Sequence, residues 1–405
     1  STTHPPPDSY RSHVADRGAS ASPVLRQMVV PLTLTALLVG ALMLLLGDGE
    51  PDAGESTASL GTAGEDADDA TATTTPADTV TIAVTGEILP HPSVVDFAAG
   101  HGIAQSYSFA PLFADIRRPI RRADLAICHL EVPVAPEGSS LSGYPNFAIP
   151  AEIGHGIRRT GWDRCSTASN HSNDKGTAGI VATLDALDAA KVAHSGTART
   201  PEEAAEIPVA MASGVPVAHL SYTWGFNGTE PAEDWMANVI DQQTILADAT
   251  NARSAGAEIV VVSLHWGDEY DSFGSPDQRM LADELLASPN IDLLVGHGPH
   301  VIQPIERYHG KFALLSVGNL IANQGSTRPA TYDGMIASIA FERTDDGSYR
   351  AARPVVEPTW YDNSAGEVRL VNAGTGPADP AWIQSHLDAS RARTVEILGK
   401  YVASR

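Results

Sequence analysis

Apolar residues along this chain gather in short unbroken runs separated by stretches of helical period, and the two clearest runs both stop at a histidine. Residues 259–264 read IVVVSL before His265-Trp266-Gly267, and residues 291–295 read IDLLV before Gly296-His297-Gly298-Pro299-His300. Runs of five or six largely β-branched residues without alternation predict strands buried on both faces. Between them, Ser275-Pro276-Asp277-Gln278 is a capping-box start with proline at the first helical position, and Met280, Leu281, Leu285 and Leu286 fit one helical face. The unit is strand–helix–strand. Its histidines fall just past the carboxyl ends of the strands, the edge where open α/β sheets bind ligands.

The same patterning predicts strands over 80–84, 124–128, 164–167, 192–194, 209–212, 215–222, 312–317, 335–341, 351–356 and 367–371. It predicts helices over 111–122, 152–160, 177–190, most of 234–255 and 379–402. Such alternation argues for an α/β class with mainly parallel sheets, and no repeat of fixed period is visible. The expected folded domain is 80–343, with a C-terminal extension, 344–405, of strands and a terminal helix packed on it.

Ahead of the domain the pattern changes twice. Residues 1–28 are polar, with Arg11, Arg17 and Arg26, and read as a disordered cytoplasmic tail. Residues 29–46 carry no charge over 18 positions, long enough for a transmembrane anchor. Basic residues precede that stretch and Asp48, Glu50, Asp52 and Glu55 follow it. The positive-inside rule then puts the N-terminus in the cytoplasm and the main domain outside, a single-pass cell-membrane protein. A cleaved leader is the alternative; the long preceding tail and the lack of a clean Ala-x-Ala site after Leu46 favour the uncleaved anchor. Residues 47–79 hold nine acids and no base, an acidic flexible linker that cannot build a core.

Net charge sharpens the picture. At 405 residues, 43% hydrophobic, the chain can bury a large core, yet it carries −23, with only four lysines. That excludes a duplex nucleic-acid binder, which needs a basic footprint. Arg117, Arg118, Arg121 and Arg122 form a local basic cluster, read either as a solvated helix face or as a contact for an anionic polymer. Cys128 and Cys165 are too few for a disulfide scaffold, and no CxxC exists. Two core thiols are the simplest expectation, with a single bridge open to a chain outside the cytoplasm.

Chemistry enters at the strand ends. Successive predicted strands deliver Glu87, then His129 and Glu131, then Asn170 and His171, then His265, with His297 and His300 from a fifth. One strand-end histidine is more often a structural hydrogen-bonder. Several at equivalent positions are different, because the sheet brings strand ends together. Histidine, carboxylate and amide donors together suit a divalent transition metal (Mn, Zn or Fe) better than calcium or magnesium. A pair of such ions would lower the pKa of a bound water and clamp a phosphoryl or carbonyl oxygen.

These residues also carry a resemblance. Thr85-Gly86-Glu87-Ile88-Leu89, Ala123-Asp124-Leu125 through Leu130-Glu131, Ser169-Asn170-His171 with Asp174 and Gly176, Leu264-His265-Trp266-Gly267 with Glu269-Tyr270, Gly296-His297-Gly298-Pro299-His300-Val301 with Gln303-Pro304-Ile305-Glu306, and Ser316-Val317-Gly318-Asn319 resemble, in order and spacing, the capsule-biosynthesis CapA family. That resemblance covers roughly residues 80–325 and implies a calcineurin-like metallophosphoesterase α/β sandwich. It implies a membrane-anchored domain acting in synthesis, export or attachment of an anionic polymer such as poly-γ-glutamate. The partners it implies are that polymer or its membrane synthase and export complex.

Four departures stand out: Ser169 where the family usually has Asn and, at the expected ligands, Glu87 where it has Asp, His129 where it has Asn, and Gly298 where it has His. Glu87 extends the carboxylate by one methylene, His129 exchanges an amide oxygen for an imidazole nitrogen, and Gly298 removes a donor. The expected ligands are Glu87, His129, Glu131, Asn170, His265, His297 and His300, with Glu131 bridging. His171 would protonate or stabilise the leaving oxygen, and Asp174 would either orient His171 or cap the helix after it. Trp266 and Tyr270 read as core and rim; Asn319 reads as a supporting donor or a turn residue. Two functions compete: a metal-dependent hydrolase, or a non-catalytic accessory subunit that binds polymer or synthase through a degenerate site.

Overall fold

The computed structural model describes residues 76–403 apart from 104, 105, 326 and 378. The expected tail and anchor, and the linker up to residue 75, lie outside the described residues. Among the described residues no helix is long and apolar enough to cross a membrane.

β1 (Thr79–Ile88), β2 (Leu125–Leu130), β3 (Arg164–Ser166) and β4 (Ala193–Ser195) run parallel and side by side in a first sheet. β5 (Val209–Ala212), β6 (Val215–Thr223), β7 (Ile259–His265), β8 (Leu293–His297), β9 (Ile305–Tyr308) and β10 (Lys311–Leu314) form a second, in the order β5-β6-β7-β8-β10-β9. The chain then returns to the first sheet. β11 (Asn319–Ile321) pairs with the end of β1, and β12 (Asp333–Arg343) lies antiparallel beside β1. β13 (Tyr349–Ala351), β14 (Val355–Asp362) and β15 (Glu367–Leu370) extend that edge. The centres of both sheets are parallel, as alternation with helices predicts. The expectation of mainly parallel sheets needs correction at the edges, where β12 to β15, β5 and β9 are antiparallel.

Strand parity sorts the side chains. Val80, Ile82 and Val84 of β1, Leu125 and Ile127 of β2, Val215 and Val217 of β6, Ile259 and Val261 of β7, and Leu293 and Val295 of β8 share one buried cluster. That cluster is the seam between the sheets. The alternate residues Val260, Val262 and Leu264 face helices Gln242–Ser254 and Pro276–Ala287 through Ile245, Ala249, Ala282 and Leu285. Ala126, Cys128 and Leu130 likewise meet Val94, Ile153, Ile157, Leu187 and Leu387 from helices on the other side. The result is an α/β sandwich of four layers, helix–sheet–sheet–helix. Because side chains alternate along a strand, the parity that puts Ile127, Val261 and Val295 into the seam also puts His129, His265 and His297 there, an even number of residues on.

β1 obeys parity only up to Val84. Its pairing with β2 shifts register between Val84 and Glu87, an irregularity that inserts a residue and turns Glu87 toward the seam. Gly86 permits it: a Cβ there would come within 2.5 Å of Gly318 O and 2.8 Å of Leu320 N in the neighbouring β11.

Other local expectations resolve on physical grounds. Helix Pro276–Ala287 has the full capping box of Ser275 and Gln278. The helix expected over 111–122 breaks into a 3-10 turn, Ala110–Phe113, and a short helix, Arg117–Arg121, since Pro111 and Pro119 each remove a donor. Two of its arginines are engaged by structure: Arg121 bonds Arg159 O and Thr160 O, and Arg122 pairs with Glu357. The helix expected from 234 starts only at Gln242, where Asp241 caps Thr244 N–H. Helix Pro92–Gly100 and strands β9 and β11 were not anticipated.

The cysteines also differ from the simplest expectation. Cys128 and Cys165 are direct register partners on β2 and β3 and form a disulfide, so no free thiol occurs among the described residues. Protein secreted into an oxidising medium is therefore expected to show no free thiol when denatured without reductant. Replacing both cysteines by serine should cost about 3–4 kcal/mol, the loop-closure value for a bridge spanning 37 residues, read from urea unfolding midpoints. Two titratable thiols in the unreduced protein would contradict the bridge.

Candidate metal centre

Two register rows meet at the carboxyl end of the seam. In the first sheet Glu87, His129 and Ser166 are neighbours across β1, β2 and β3. In the second, Thr223, His265 and His297 are neighbours across β6, β7 and β8. His129 Nε2 reaches across the gap to within 3.1 Å of His265 Nδ1. Behind it, His129 Nδ1 lies 2.8 Å from Ser166 Oγ. With the Ser166 hydroxyl given to Cys128 O at 3.3 Å, His129 donates from Nδ1 and keeps Nε2 as a lone pair facing the gap.

Glu131, just past β2, is completely buried, and neither of its carboxylate oxygens has a hydrogen-bond partner. Burial pushes its pKa well above the ordinary carboxylate range; His300 pulls the other way, and the negative charge of Glu87 adds to the rise. Glu87 is equally buried but fully engaged. Its Oε1 accepts the Gly298 N–H at 2.6 Å and its Oε2 accepts from His300 Nδ1 at 2.5 Å. The second nitrogen of His300, Nε2, lies 3.9 Å from Glu131 Oε1. Burial alone would lower the His300 pKa, but the carboxylates of Glu131 and Glu87 outweigh it and push it up to about 10.

Two sets of donor atoms, each mutually within 4.8 Å, emerge from this geometry: His129, Glu131 and His265, and Glu87, Glu131 and His300. Glu131 is common to both. His129, His265 and His297 have pKa values held well below the usual imidazole range, by burial first and by neighbouring histidines after it. They are therefore neutral, the form a metal needs.

The remaining expected residues fall in different roles. His297 does not join either set; its ring stacks on His129 with centroids 4.1 Å apart, and its Nδ1 has no partner. Asn170 is buried with Oδ1 unpartnered. His171 Nδ1 binds Asp174 Oδ2 at 2.7 Å, and its Nε2 lies 3.3 Å from Asn227 Nδ2. Asp174 does not cap the following helix, which has no side-chain cap; the same Oδ2 accepts the Phe147 N–H at 2.7 Å. Trp266 is core, its Nε1 donating to Leu315 O. Asn319 is buried, in register with Glu87, and donates to Thr331 O and Gln324 Oε1.

Gly298 is more than a missing ligand. Its φ is +107°, and a Cβ there would meet Trp266 O at 2.9 Å and His265 Nε2 at 3.2 Å. No side chain fits, and the N–H left exposed by the glycine anchors Glu87. The extra methylene of Glu87 is what lets the carboxylate reach that donor and His300 together.

Sequence reasoning missed His91, His219, Ser166 and Asn227. His91 follows Glu87 by four residues; burial, against a bond to Leu89 O, lowers its pKa to about 4. His219 lies on the seam face of β6, bonded to Ser263 Oγ at 2.9 Å. Asn227 comes just after β6, the one central strand end not searched for donors, and its Gly225 and Gly228 neighbours were the available signal.

The donor set fits a transition-metal ion. Buried polar groups are normally paired, yet Glu131, the residue common to both donor sets, has neither Oε1 nor Oε2 partnered. A cation among neutral imidazoles and carboxylates satisfies that deficit with the nitrogen and oxygen donors such ions prefer.

An α/β sandwich holding a mixed histidine–carboxylate cluster at the strand ends defines the class: a metallophosphoesterase-like fold. The chain belongs to the bacterial capsule synthesis protein PGA_cap family, whose family model matches residues 81–324. It is similar to the capsule biosynthesis protein CapA of Bacillus anthracis, 29% identical over 197 residues covering 47% of each chain. It is likewise similar to the PGA biosynthesis protein CapA of Bacillus subtilis (strain 168), 30% identical over 187 residues covering 45% of this chain and 48% of that protein. The chain thus spans about half the length of these relatives. A solved structure with a similar backbone is the calcineurin-like phosphoesterase YfkN from Bacillus subtilis, at 13% identity and TM-score 0.41, covering 78% of this chain and 98% of that one.

A carboxyl whose folded pKa is raised stabilises the fold while protonated, and that contribution disappears as pH climbs from the ordinary value of 4.5 through the folded value. Metal-free protein is therefore expected to lose thermal stability as pH rises above 4.5 more steeply than its Glu131→Gln variant does. The same variant should abolish the rise in Tm on adding manganese or zinc at pH 7.5. A metal-induced rise that survives Glu131→Gln would contradict the assignment.

Proposed function

We propose that this chain is a membrane-anchored, extracytoplasmic hydrolase or transferase acting, with a divalent transition metal, on an anionic cell-surface polymer of the poly-γ-glutamate kind. The observation that carries the reading is Glu131, buried without a partner between two donor sets. The names of the relatives, tied to capsule and PGA biosynthesis, support the polymer class. The uncharged stretch 29–46 supports the anchor, and the Cys128–Cys165 bridge supports an oxidising compartment. On this reading the protein works beside the membrane synthase or export complex.

His129, Glu131 and His265 would hold one ion, and Glu87, Glu131 and His300 a second. Metal bound there would polarise a carbonyl or phosphoryl oxygen and supply an activated water. The rest is the work of the chain itself. Ser166 fixes the His129 tautomer, and Gly298 N–H with His300 holds Glu87 in place. Asp174 holds His171 at Nδ1, leaving Nε2 to take up a proton and pass it to the leaving group. Phe147 packs edge-on against the His171 ring at 4.8 Å and keeps water from that side.

A second reading, an accessory subunit that holds polymer or synthase without turnover, is favoured by one observation. Both Glu87 oxygens are already taken by donors of the chain itself.

Metal analysis of wild type beside His265→Ala and His300→Ala, with assays on γ-glutamyl and phosphodiester substrates, separates the two. The enzyme reading expects bound transition metal in wild type, loss of it in both variants, and turnover that falls with it. His171→Ala should keep its metal and lose about 10²- to 10⁴-fold in kcat, the range for removing a general acid. Bound metal without turnover on any of these substrates would leave the accessory role; absence of bound metal in wild type would sink the enzyme.

A further inference from the structure

We propose that Arg328 recognises a free carboxylate of the substrate chain and so seats an acidic polymer beside the metal centre. The inference deepens the proposed function and rests on its claim that the substrate is an acidic polymer. Its ground is local geometry. The Arg328 guanidinium lies over the Tyr270 ring, 4.1 Å from the centroid, and that ring lies 6.0 Å from the His300 ring. The platform is fixed to the cluster. Tyr270 N–H donates to Pro299 O at 2.8 Å, and Tyr270 and His300 both hold positive φ, +67° and +61°. Such conformations persist in non-glycine residues only where the surroundings impose them.

Most buried or half-buried arginines here are spent on carboxylates: Arg199 on Asp185, Asp188 and Glu203, Arg253 on Asp292, Arg279 on Glu306, and Arg393 on Asp333. Arg328 is exposed, and its guanidinium has no carboxylate partner among the described residues; its backbone carbonyl alone is engaged, by Thr331. Stacking on the ring leaves the edge of the guanidinium fork open to a planar oxyanion. Asp268, Glu269 and Asp271 flank Tyr270 in sequence, the first two of them exposed, so an acidic chain arriving beside that ring meets repulsion unless a cation answers it. Arg328 is the cation in that position.

The test compares two probes on the full-length, manganese-loaded chain by calorimetric titration. One is a short γ-linked glutamyl oligomer with free α-carboxylates; the other is the same oligomer with every α-carboxylate converted to carboxamide. Arg328→Gln is expected to weaken binding of the acidic oligomer about 10- to 100-fold, the value of a charge-assisted bond. Binding of the carboxamide oligomer and the metal content should stay unchanged. Arg328→Lys should recover part of the loss, since it restores charge without the fork. In any turnover assay the deficit should fall on KM rather than kcat.

Unchanged binding of the acidic oligomer by Arg328→Gln would overturn the assignment and leave the polymer reading standing. Equal loss for both oligomers, or loss of metal, would overturn it as a structural effect. Wild type that does not prefer the acidic oligomer to the carboxamide would overturn the assignment together with the reading it rests on. Arg328-dependent binding of inorganic phosphate without binding of the acidic oligomer would overturn it in favour of a phosphoryl substrate.

Discussion

Removing a carboxylate from water costs several kcal/mol unless a partner answers its charge, and Glu131 is removed from water completely with both oxygens unanswered. The surrounding fold offers little relief. Its imidazole neighbours are neutral, and the nearest cation, His300, stands 3.9 Å away and is already bonded to Glu87. The chain therefore carries a standing demand for positive charge at one point, and the arrangement of the other donors follows from it. Glu87 is the contrasting case: a carboxylate equally buried, but satisfied by a backbone N–H and an imidazole.

That contrast depends on two backbone irregularities. The register shift in β1 rotates Glu87 out of ordinary parity and into the seam, and Gly86 admits it by leaving room for β11. On the opposite sheet, Gly298 at φ +107° turns its N–H toward the same carboxylate. An aspartate at 87 would fall short of that donor by a methylene, and a side chain at 298 would collide with Trp266 and His265. The longer acid at 87 and the missing side chain at 298 are thus complementary: they share one space.

Much of this was legible in the sequence because strand parity and strand ends are local properties. The runs ending at His265 and His297 gave the seam, and the capping box of Ser275 and Gln278 gave the helix between them. What escaped was non-local. Nothing in IVVVSLH states that its histidine will meet His129 from another sheet, or that His297 will stack on His129 instead of presenting a nitrogen to the gap. His219 was hidden in an unremarkable strand, and Asn227 lay beyond the end of β6. The cysteines looked like two separate core residues until register placed them opposite each other on β2 and β3. Local pattern fixes which face a residue takes; only sheet order fixes what it faces.

Charge adds a final constraint. A chain of −23 would repel an acidic polymer at long range, but at physiological ionic strength that field is screened beyond about 8 Å. What governs approach is the balance of charges beside the cluster. Asp268, Glu269 and Asp271, flanking Tyr270 in sequence, oppose an anion while Arg328 on Tyr270 attracts one. A polymer with a carboxylate on every residue would be turned away over most of this surface and held where that arginine stands, one ring from His300. Repulsion from neighbouring acids together with one arginine held beside the cluster would make that position selective for where an acidic chain is seated.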